Sequence, residues 1–332
     1  MKAQKRRRIY GFAHIGNPII FQCSLPFKIS HDVSICRPTK TQLKRIRKHL
    51  HELNRFDDFR TPYESVWSRR QEKSRYLVHE NGEEQEIQFF YAEEKPLARE
   101  DWKYAIVKYR ADELVEGHYK PQDIVDLEMA SQIGPQRLHL FSTYGAWSTR
   151  SGSDTELFDF LQAGVHRDHT EEWTLRDLQE LKRTFEKVTS IRVNYPQLYH
   201  SFKLYWSLPK IKGYNELLCL GLFSVIESII THNPKGDSDS ISHQISAKVK
   251  LLGNRFPERV KHEFDQIDES KLWKKLYDFR SRLAHGGIVD FKGTFQVLKD
   301  SYLVQCYLED FLNTLFRYAL NEPQLCLDLK EC

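Results

Sequence analysis

The chain has 332 residues, of which 40% are hydrophobic and 29% charged, and its formal net charge is +4. This composition predicts a folded protein with room for two domains, and it excludes a disordered polyelectrolyte. No apolar run is long enough to cross a membrane, and the basic start MKAQKRRRIYGF lacks the apolar core of a signal peptide. We therefore expect a cytoplasmic protein with no membrane partner. Its six scattered cysteines form no CxxC pair, which favours reduced thiols and no metal site.

Residues 1–170 carry mixed helix and strand signals and are predicted to form an N-terminal mixed α/β domain. Pro38 and Thr39 precede a basic amphipathic helix. Asn81 and Gly82 can form the type I′ turn of a β-hairpin, since both tolerate a positive φ. Strands are predicted over residues 8–12, 19–25 and 104–109, and a loop over residues 145–154.

Two basic clusters lie in this half of the chain. One is the run from Lys5 to Arg8. The other follows the predicted basic helix and consists of Lys40, Lys44, Arg45, Arg47 and Lys48. Either cluster is a solvated face or a contact for RNA, and the sequence leaves both interpretations open. We expect the domain itself either to recognise RNA or another partner, or to serve only in packing or dimerisation.

Residues 171–332 read as helical throughout and predict an all-α bundle, so the expected fold class is α+β. Thr174 and Asp177 form a capping pair at the start of the first helix, and Pro196 opens the second. Residues 214–230 predict a central buried helix that contains one carboxylate, Glu227. Further helices are predicted over residues 241–252 and 272–285, with a short one around Val260 and Phe264 and a long final one over residues 295–320.

The stretch LYDFRSRLAHGG, residues 276–287, ends a helix at His285, with Gly286 as a left-handed cap. The helix dipole there favours a protonated imidazole by ~0.3–1 kcal/mol, so His285 can exchange protons near neutral pH. Arg280 lies about 140° from His285 around an ideal helix of about 3.6 residues per turn. The two side chains converge only if the last turn bends or a second chain contributes. The alternative is structural, with Arg280 in an ion pair and His285 bonded to the last helix carbonyls.

This predicted bundle contains a sequence motif in which Arg280-Ser281 is followed by His285-Gly286. In this motif and its helices it resembles the Apea-like branch of the HEPN superfamily of helical-bundle ribonucleases. The resemblance covers residues 175–320 and implies a homodimeric, metal-independent endoribonuclease without a cofactor. Arg280 and His285 become the catalytic pair, and Ser281 takes the polar position after the arginine. The implied setting is antiviral defence, abortive infection or a toxin–antitoxin system, with an antitoxin or a phage-derived trigger as a further partner. A catalytically silent module that binds RNA or a protein partner is the alternative.

The implied chemistry suits these residue types. RNA supplies its own nucleophile, the 2′-hydroxyl, so cleavage requires proton transfers and charge stabilisation at phosphorus. A histidine can transfer the protons, and a guanidinium can donate two charge-assisted hydrogen bonds to the phosphate. Arg282 is a supporting residue outside the motif. Glu227 is either a structural ion-pair partner or the group that orients Arg280 or Arg282.

Overall fold

The computed structural model describes residues 8–15, 19–53, 65–76, 85–96, 105–112, 121–134, 137–144, 149–150, 171–208, 211, 215–234, 240–256, 260–264 and 267–331. The chain divides into two compact units. The first comprises Met1–Val125 and Leu138–Lys182, and the second comprises Asp126–Arg137 and Arg183–Cys332. In the described residues the first unit combines helix and strand and the second is helical, which confirms the α+β class.

The strands all belong to the first unit. They are β1 Arg8–Ile15, β2 Ile19–Phe21, β3 Phe27–Lys28, β4 Val33–Cys36, β5 Ser65–Tyr76, β6 Gln85–Pro96, β7 Ile106–Asp112, β8 Leu140–Tyr144, β9 Thr149–Arg150 and β10 Glu171–Trp173. Six of them form one antiparallel sheet in the order β3-β4-β7-β1-β8-β9, β5 pairs antiparallel with β6, and β10 pairs parallel with β2. Residues 11–15 of β1 are all buried, and they form the sheet core together with Val33 and Ile35 of β4 and Ile106, Val107 and Tyr109 of β7.

Two predictions for this unit need correction, and one lies outside the described residues. The strand predicted over residues 19–25 ends at Phe21, where the backbone turns away from the partner strand β10. The loop predicted over residues 145–154 contains β9, which pairs with β8. The β5–β6 pairing confirms a hairpin, but its turn at Asn81 and Gly82 lies outside the described residues.

The first helix, α1 Lys40–Leu53, begins where the sequence predicts. The Thr39 backbone N–H donates to Gln42 Oε1 at 2.9 Å, and the Gln42 backbone N–H donates to Thr39 Oγ1 at 3.3 Å. This is a capping box, which satisfies two of the free amides at a helix start. Ile46 is fully buried on the apolar side of α1.

The remaining helices are α2 Gln122–Ile133, α3 Leu175–Asn194, α4 Pro196–Ser207, α5 Asn215–Ile230, α6 Ile241–Gly253, α7 Glu269–Ala284, α8 Ser301–Asn321 and α9 Pro323–Glu331. Helix α5 packs against α4, α6, α7, α8 and α9, so its predicted central position is confirmed. None of the described helices has both the length and the apolar character needed to cross a membrane.

Three features of the helical region differ from expectation. The final helix begins at Ser301 and not at Phe295, because Lys299 adopts a φ of 61° and Asp300 caps the helix by accepting from the Leu303 amide at 2.8 Å. The segment around Val260 and Phe264 is not helical where it is described, and Phe264 is buried against Tyr307 from an irregular backbone. Helices α2 and α9 were not predicted.

One ion pair in the second unit connects α2 with α3, and it does not involve α7. Asp126 on α2 is fully buried and accepts a hydrogen bond from the Tyr199 hydroxyl of α4 at 2.6 Å. Its other carboxylate oxygen lies 3.1 Å from Nε of Arg192 on α3. The buried charge of α2 is thereby compensated by two separate helices.

Candidate functional site

The candidate site is built on the last turns of α7. Its apolar stripe, Leu272, Trp273, Leu276 and Phe279, is fully buried, and this burial fixes the rotation of the helix. Side chains that follow Phe279 therefore have defined directions at the point where the helix ends. The site depends on this rotation, because its arginine and histidine are placed by the helix and not by a loop.

The helix ends in a Schellman motif, as the predicted glycine cap requires. The Gly286 amide donates to the Leu283 carbonyl at 3.0 Å, and the Gly287 amide donates to the Arg282 carbonyl at 2.8 Å. Gly286 has a φ of +68°, which is the left-handed conformation that glycine adopts without a Cβ penalty. The prediction of Gly286 as the cap residue is confirmed.

Arg280 is paired with Glu227, a residue 53 positions earlier on α5. Arg280 Nη2 donates to Glu227 Oε2 at 3.2 Å, and Arg280 Nε lies 3.1 Å from Glu227 Oε1. Both side chains are largely buried, with 26% of Arg280 and 16% of Glu227 exposed. Of the two arginines that the sequence offered as partners for Glu227, Arg280 is the one that the carboxylate contacts.

A tyrosine completes the surroundings of this pair. The guanidinium carbon of Arg280 lies 5.7 Å from the ring centroid of Tyr277, a cation–π contact one helical turn back. Sequence reasoning did not single out Tyr277, although its spacing of three residues from Arg280 places both on neighbouring parts of one helix face. The guanidinium is thus held by a carboxylate on one side and an aromatic ring on another.

Burial changes the acid–base properties around Arg280. It raises the pKa of the Glu227 carboxyl above its ordinary value of 4.5, and the charge of and hydrogen bond from Arg280 oppose this rise. Burial also raises the pKa of Tyr277, with a further contribution from the Glu227 carboxylate. Since only 26% of Arg280 and 16% of Glu227 are exposed, water screens the charges of this pair less than it screens charges at the surface.

His285 is placed differently from Arg280. It is the C-cap residue of α7, its backbone amide donates to the Ser281 carbonyl at 3.1 Å, and its side chain is exposed. Among the described residues, the His285 imidazole makes no hydrogen bond and no ion pair. The Arg280 side chain bonds to Glu227 on α5 while His285 is exposed, so no polar contact joins the two groups within one chain.

The supporting residues have local structural contacts. Arg282 is exposed, and its Nε donates to the Ile288 carbonyl at 3.1 Å, which fastens the backbone that follows the cap. Ser281 is half-buried, and its carbonyl accepts the His285 amide. Arg282 is therefore directed away from Glu227.

The basic helix α1 belongs to the first unit. Lys40, Lys44 and Lys48 are exposed, whereas Arg45 is half-buried with its guanidinium carbon 5.9 Å from the ring centroid of Phe12. The side chain of Arg47 and residues 5–7 lie outside the described part of the structure. The three exposed lysines give α1 a positively charged surface, and Arg45 instead covers an aromatic ring of the sheet.

Among the described side chains, no group of three or more His, Cys, Asp or Glu residues is arranged to hold a metal ion. The five described cysteines, Cys23, Cys36, Cys219, Cys306 and Cys326, are all free thiols. Cys219 on α5 is buried, while Cys306 on α8 is only half-buried.

Searches with this chain against protein-family models, curated proteins and solved structures found no match. The HEPN resemblance consequently remains a prediction, which rests on the sequence motif Arg280-Ser281…His285-Gly286 and on the helices around it. What the structure adds is the partner of Arg280, the exposure of His285 and the geometry of the helix end.

Proposed function

We propose that this chain is a metal-independent endoribonuclease that cleaves RNA by attack of the 2′-hydroxyl on the adjacent phosphorus. The observation that carries this proposal is that α7 presents both an arginine paired with Glu227 and, five residues later, a solvent-exposed His285. A cation held by a largely buried carboxylate and a histidine open to substrate are the two groups that this reaction requires.

The contacts of Arg280 leave part of its guanidinium for a phosphate. Nε and one Nη2 hydrogen face the Glu227 carboxylate, so both hydrogens of Nη1 and the second of Nη2 can donate to phosphate oxygens. Glu227 acts here as a positioning residue, because it fixes the guanidinium plane without touching RNA. Preorganised donors stabilise transition-state charge without reorganisation during the reaction.

The different directions of Arg280 and His285 support a composite site shared by two copies of the chain. His285 of one copy would act on the 2′-hydroxyl or on the 5′ leaving oxygen. Arg280 of the other copy would contact the phosphate. In this proposal the enzyme is a homodimer that acts in antiviral defence or in growth arrest, and an antitoxin or a phage-derived trigger would set its activity.

The direct test is RNA cleavage in EDTA. We expect His285→Ala and Arg280→Ala to reduce cleavage by at least about 100-fold. His243→Ala, which changes an exposed histidine on α6, should match the wild type. Equal cleavage by wild type and His285→Ala would contradict the proposal.

A mixed dimer tests the shared site. Co-expressed chains with different tags, one carrying Arg280→Ala and one carrying His285→Ala, are purified through both tags. If the site joins Arg280 of one chain to His285 of the other, the mixed dimer retains one complete site and recovers activity. If each chain carried its own complete site, the mixed dimer would remain inactive.

The pairing of Arg280 also supports a second candidate function, a catalytically silent module that binds RNA or a protein partner. An arginine that only stabilises the bundle would make the same contact with Glu227. For such a scaffold, RNA would be bound and never cut, and Arg280→Ala would lower stability while leaving RNA affinity unchanged.

A further inference from the structure

One face of the six-stranded sheet carries an exposed tyrosine among basic side chains. Tyr10 on β1 pairs in register with Arg110 on β7, and Lys108 pairs with Phe12 one row further in. Directly opposed residues in neighbouring strands project from the same face, as do residues two apart along a strand. Tyr10, Lys108 and Arg110 therefore share one surface.

The side chains of these residues are in contact. Lys108 Nζ lies 4.7 Å from the Tyr10 ring centroid, and the guanidinium carbon of Arg110 lies 5.7 Å from it. Lys28 on β3 reaches the same face, because it pairs with Ser34 on β4, which in turn pairs with Lys108. We call Tyr10, Lys28, Lys108 and Arg110 the Tyr10 platform.

The platform is exposed, whereas the neighbouring Phe12 on the same face of the sheet is covered by α1. Tyr10 is 59% exposed, and Lys28 and Lys108 are also exposed, whereas Phe12 is buried beneath Arg45 of α1. The opposite face of the sheet is closed at this position. A Cβ on Gly11 would lie 2.4 Å from the Tyr109 ring, so the ring of Tyr109 packs directly on the Gly11 backbone.

The charge of the platform is positive. Asp32 is the neighbouring carboxylate, and it lies 4.0 Å from Arg110 Nη1 while also contacting His31 Nδ1 at 2.9 Å. Lys28 and Lys108 take part in no ion pair with any described side chain. Lys108 and a partly compensated Arg110 thus contact one exposed aromatic ring, and Lys28 adds a further positive charge on the same face of the sheet.

We propose that the Tyr10 platform binds single-stranded RNA, with one base stacked on the Tyr10 ring and the flanking phosphates contacting Lys28, Lys108 and Arg110. An aromatic ring on a sheet within a basic surface is the arrangement by which proteins hold unpaired bases. The lysine side chains are long and flexible, so Lys108 can leave the ring and follow a phosphate when a base arrives. The choice of RNA as the occupant rests on the proposed ribonuclease function.

The test measures RNA binding by the full chain carrying His285→Ala, so that binding is read separately from cleavage. The probe is a fluorescent oligouridine of about ten nucleotides, within the range that such surfaces cover. We expect Tyr10→Ala to weaken binding about tenfold, which is a typical loss for one stacked base. Tyr10→Phe keeps the ring and should bind within about twofold of the parent chain.

Two further variants control the measurement. Tyr302→Ala removes an equally exposed tyrosine on α8, which is 61% exposed, and should leave binding unchanged. Lys108→Ala should reduce the slope of log affinity against log salt by about 0.7, the value for one phosphate contact on a single strand. If Tyr10→Ala lowers the stability of the chain, the salt slope of Lys108→Ala still tests whether the platform contacts RNA.

The proposal is overturned if Tyr10→Ala and the parent bind RNA equally and Lys108→Ala leaves the salt slope unchanged. It is also overturned if the Tyr10-dependent loss appears with oligothymidine and not with RNA. A chain that binds oligouridine through Tyr10 but never cleaves RNA would remove the ribonuclease proposal and leave the platform standing. The two failures are therefore distinguishable.

Discussion

Two of the carboxylate–arginine pairs in the helical unit have different surroundings. Asp126 is fully buried and is bound by both Arg192 and the Tyr199 hydroxyl. Glu227 keeps 16% of its side chain exposed, and its partner Arg280 precedes the exposed His285 by five residues on the same helix. The first carboxylate is compensated between helices, as a structural pair must be. The second pair positions a guanidinium beside solvent, where a substrate can reach it.

The largest expected effect on stability is at Asp126. Asp126→Ala leaves Arg192 without this counter-charge and the buried Tyr199 hydroxyl without this acceptor, so we expect the free energy of unfolding to fall by about 3 kcal/mol. Urea denaturation measures the change. Asp268→Ala is the control, because its pair with Lys271 is about 75% exposed and should contribute less than ~0.5 kcal/mol. Similar losses in the two variants would contradict the structural assignment of Asp126.

The two arginines can be compared by the same substitution. Arg280→Lys keeps the charge but loses the planar fork that serves Glu227 and a phosphate together, so we expect RNA cleavage to fall about 100-fold. Arg192→Lys should lower the free energy of unfolding by about 1 kcal/mol and leave the cleavage rate of the folded protein unchanged. Single-turnover cleavage on both variants measures this difference. If both lost activity equally, the distinction between the pairs would fail.

The cap that ends α7 gives a smaller expected effect. Gly286→Ala imposes a left-handed φ on a residue with a Cβ, and we expect the free energy of unfolding to fall by about 1 kcal/mol. A Cβ at Gly286 meets no atom within 4 Å, so the change reports backbone conformation alone. Thermal unfolding measures it. Gly286→Asn, which tolerates this φ better, should lose less, and an equal loss would point to a cause other than the backbone.

The pH dependence of stability gives the smallest effect. Because burial raises the pKa of Glu227, the folded chain binds its proton more readily than the unfolded chain does. Between the ordinary pKa of 4.5 and the raised folded value, stability relative to Glu227→Gln should therefore increase as pH falls. Urea unfolding of both proteins across this range checks the sign. A relative stability that decreased with falling pH would mean that Arg280 outweighs burial.

Local sequence signals predicted the helix ends well. Thr174 and Asp177 cap α3 reciprocally, with the Thr174 amide 2.7 Å from Asp177 Oδ2, and Gly286 ends α7. These contacts involve residues within four positions of each other, so the sequence contains all their participants. Asp300, an N-cap residue type, marks the start of α8 in the sequence. The predicted helix nevertheless began too early, because the apolar Phe295 was included in its apolar pattern.

Periodicity failed where burial is uniform. Helix α2 is buried at every position from Ile124 to Ile133, including Asp126, so its sequence shows no apolar and polar sides. Amphipathic patterns arise only when one side of a helix faces water. Leu175 fits an apolar pattern without being buried: it belongs to the apolar stripe of α3, but it is 50% exposed at the first turn of that helix.

The sequence by itself determined that α7 ends at a glycine cap with an arginine, a serine and a histidine in its last turns, because those features follow from neighbouring residues. Only the tertiary structure decided that Glu227 pairs with Arg280 and not Arg282, and that His285 faces solvent. It also placed Tyr10 against Lys108, about a hundred positions away in the chain. Each of these contacts depends on helix rotation or strand register, which the packing of the whole unit fixes and no local pattern contains.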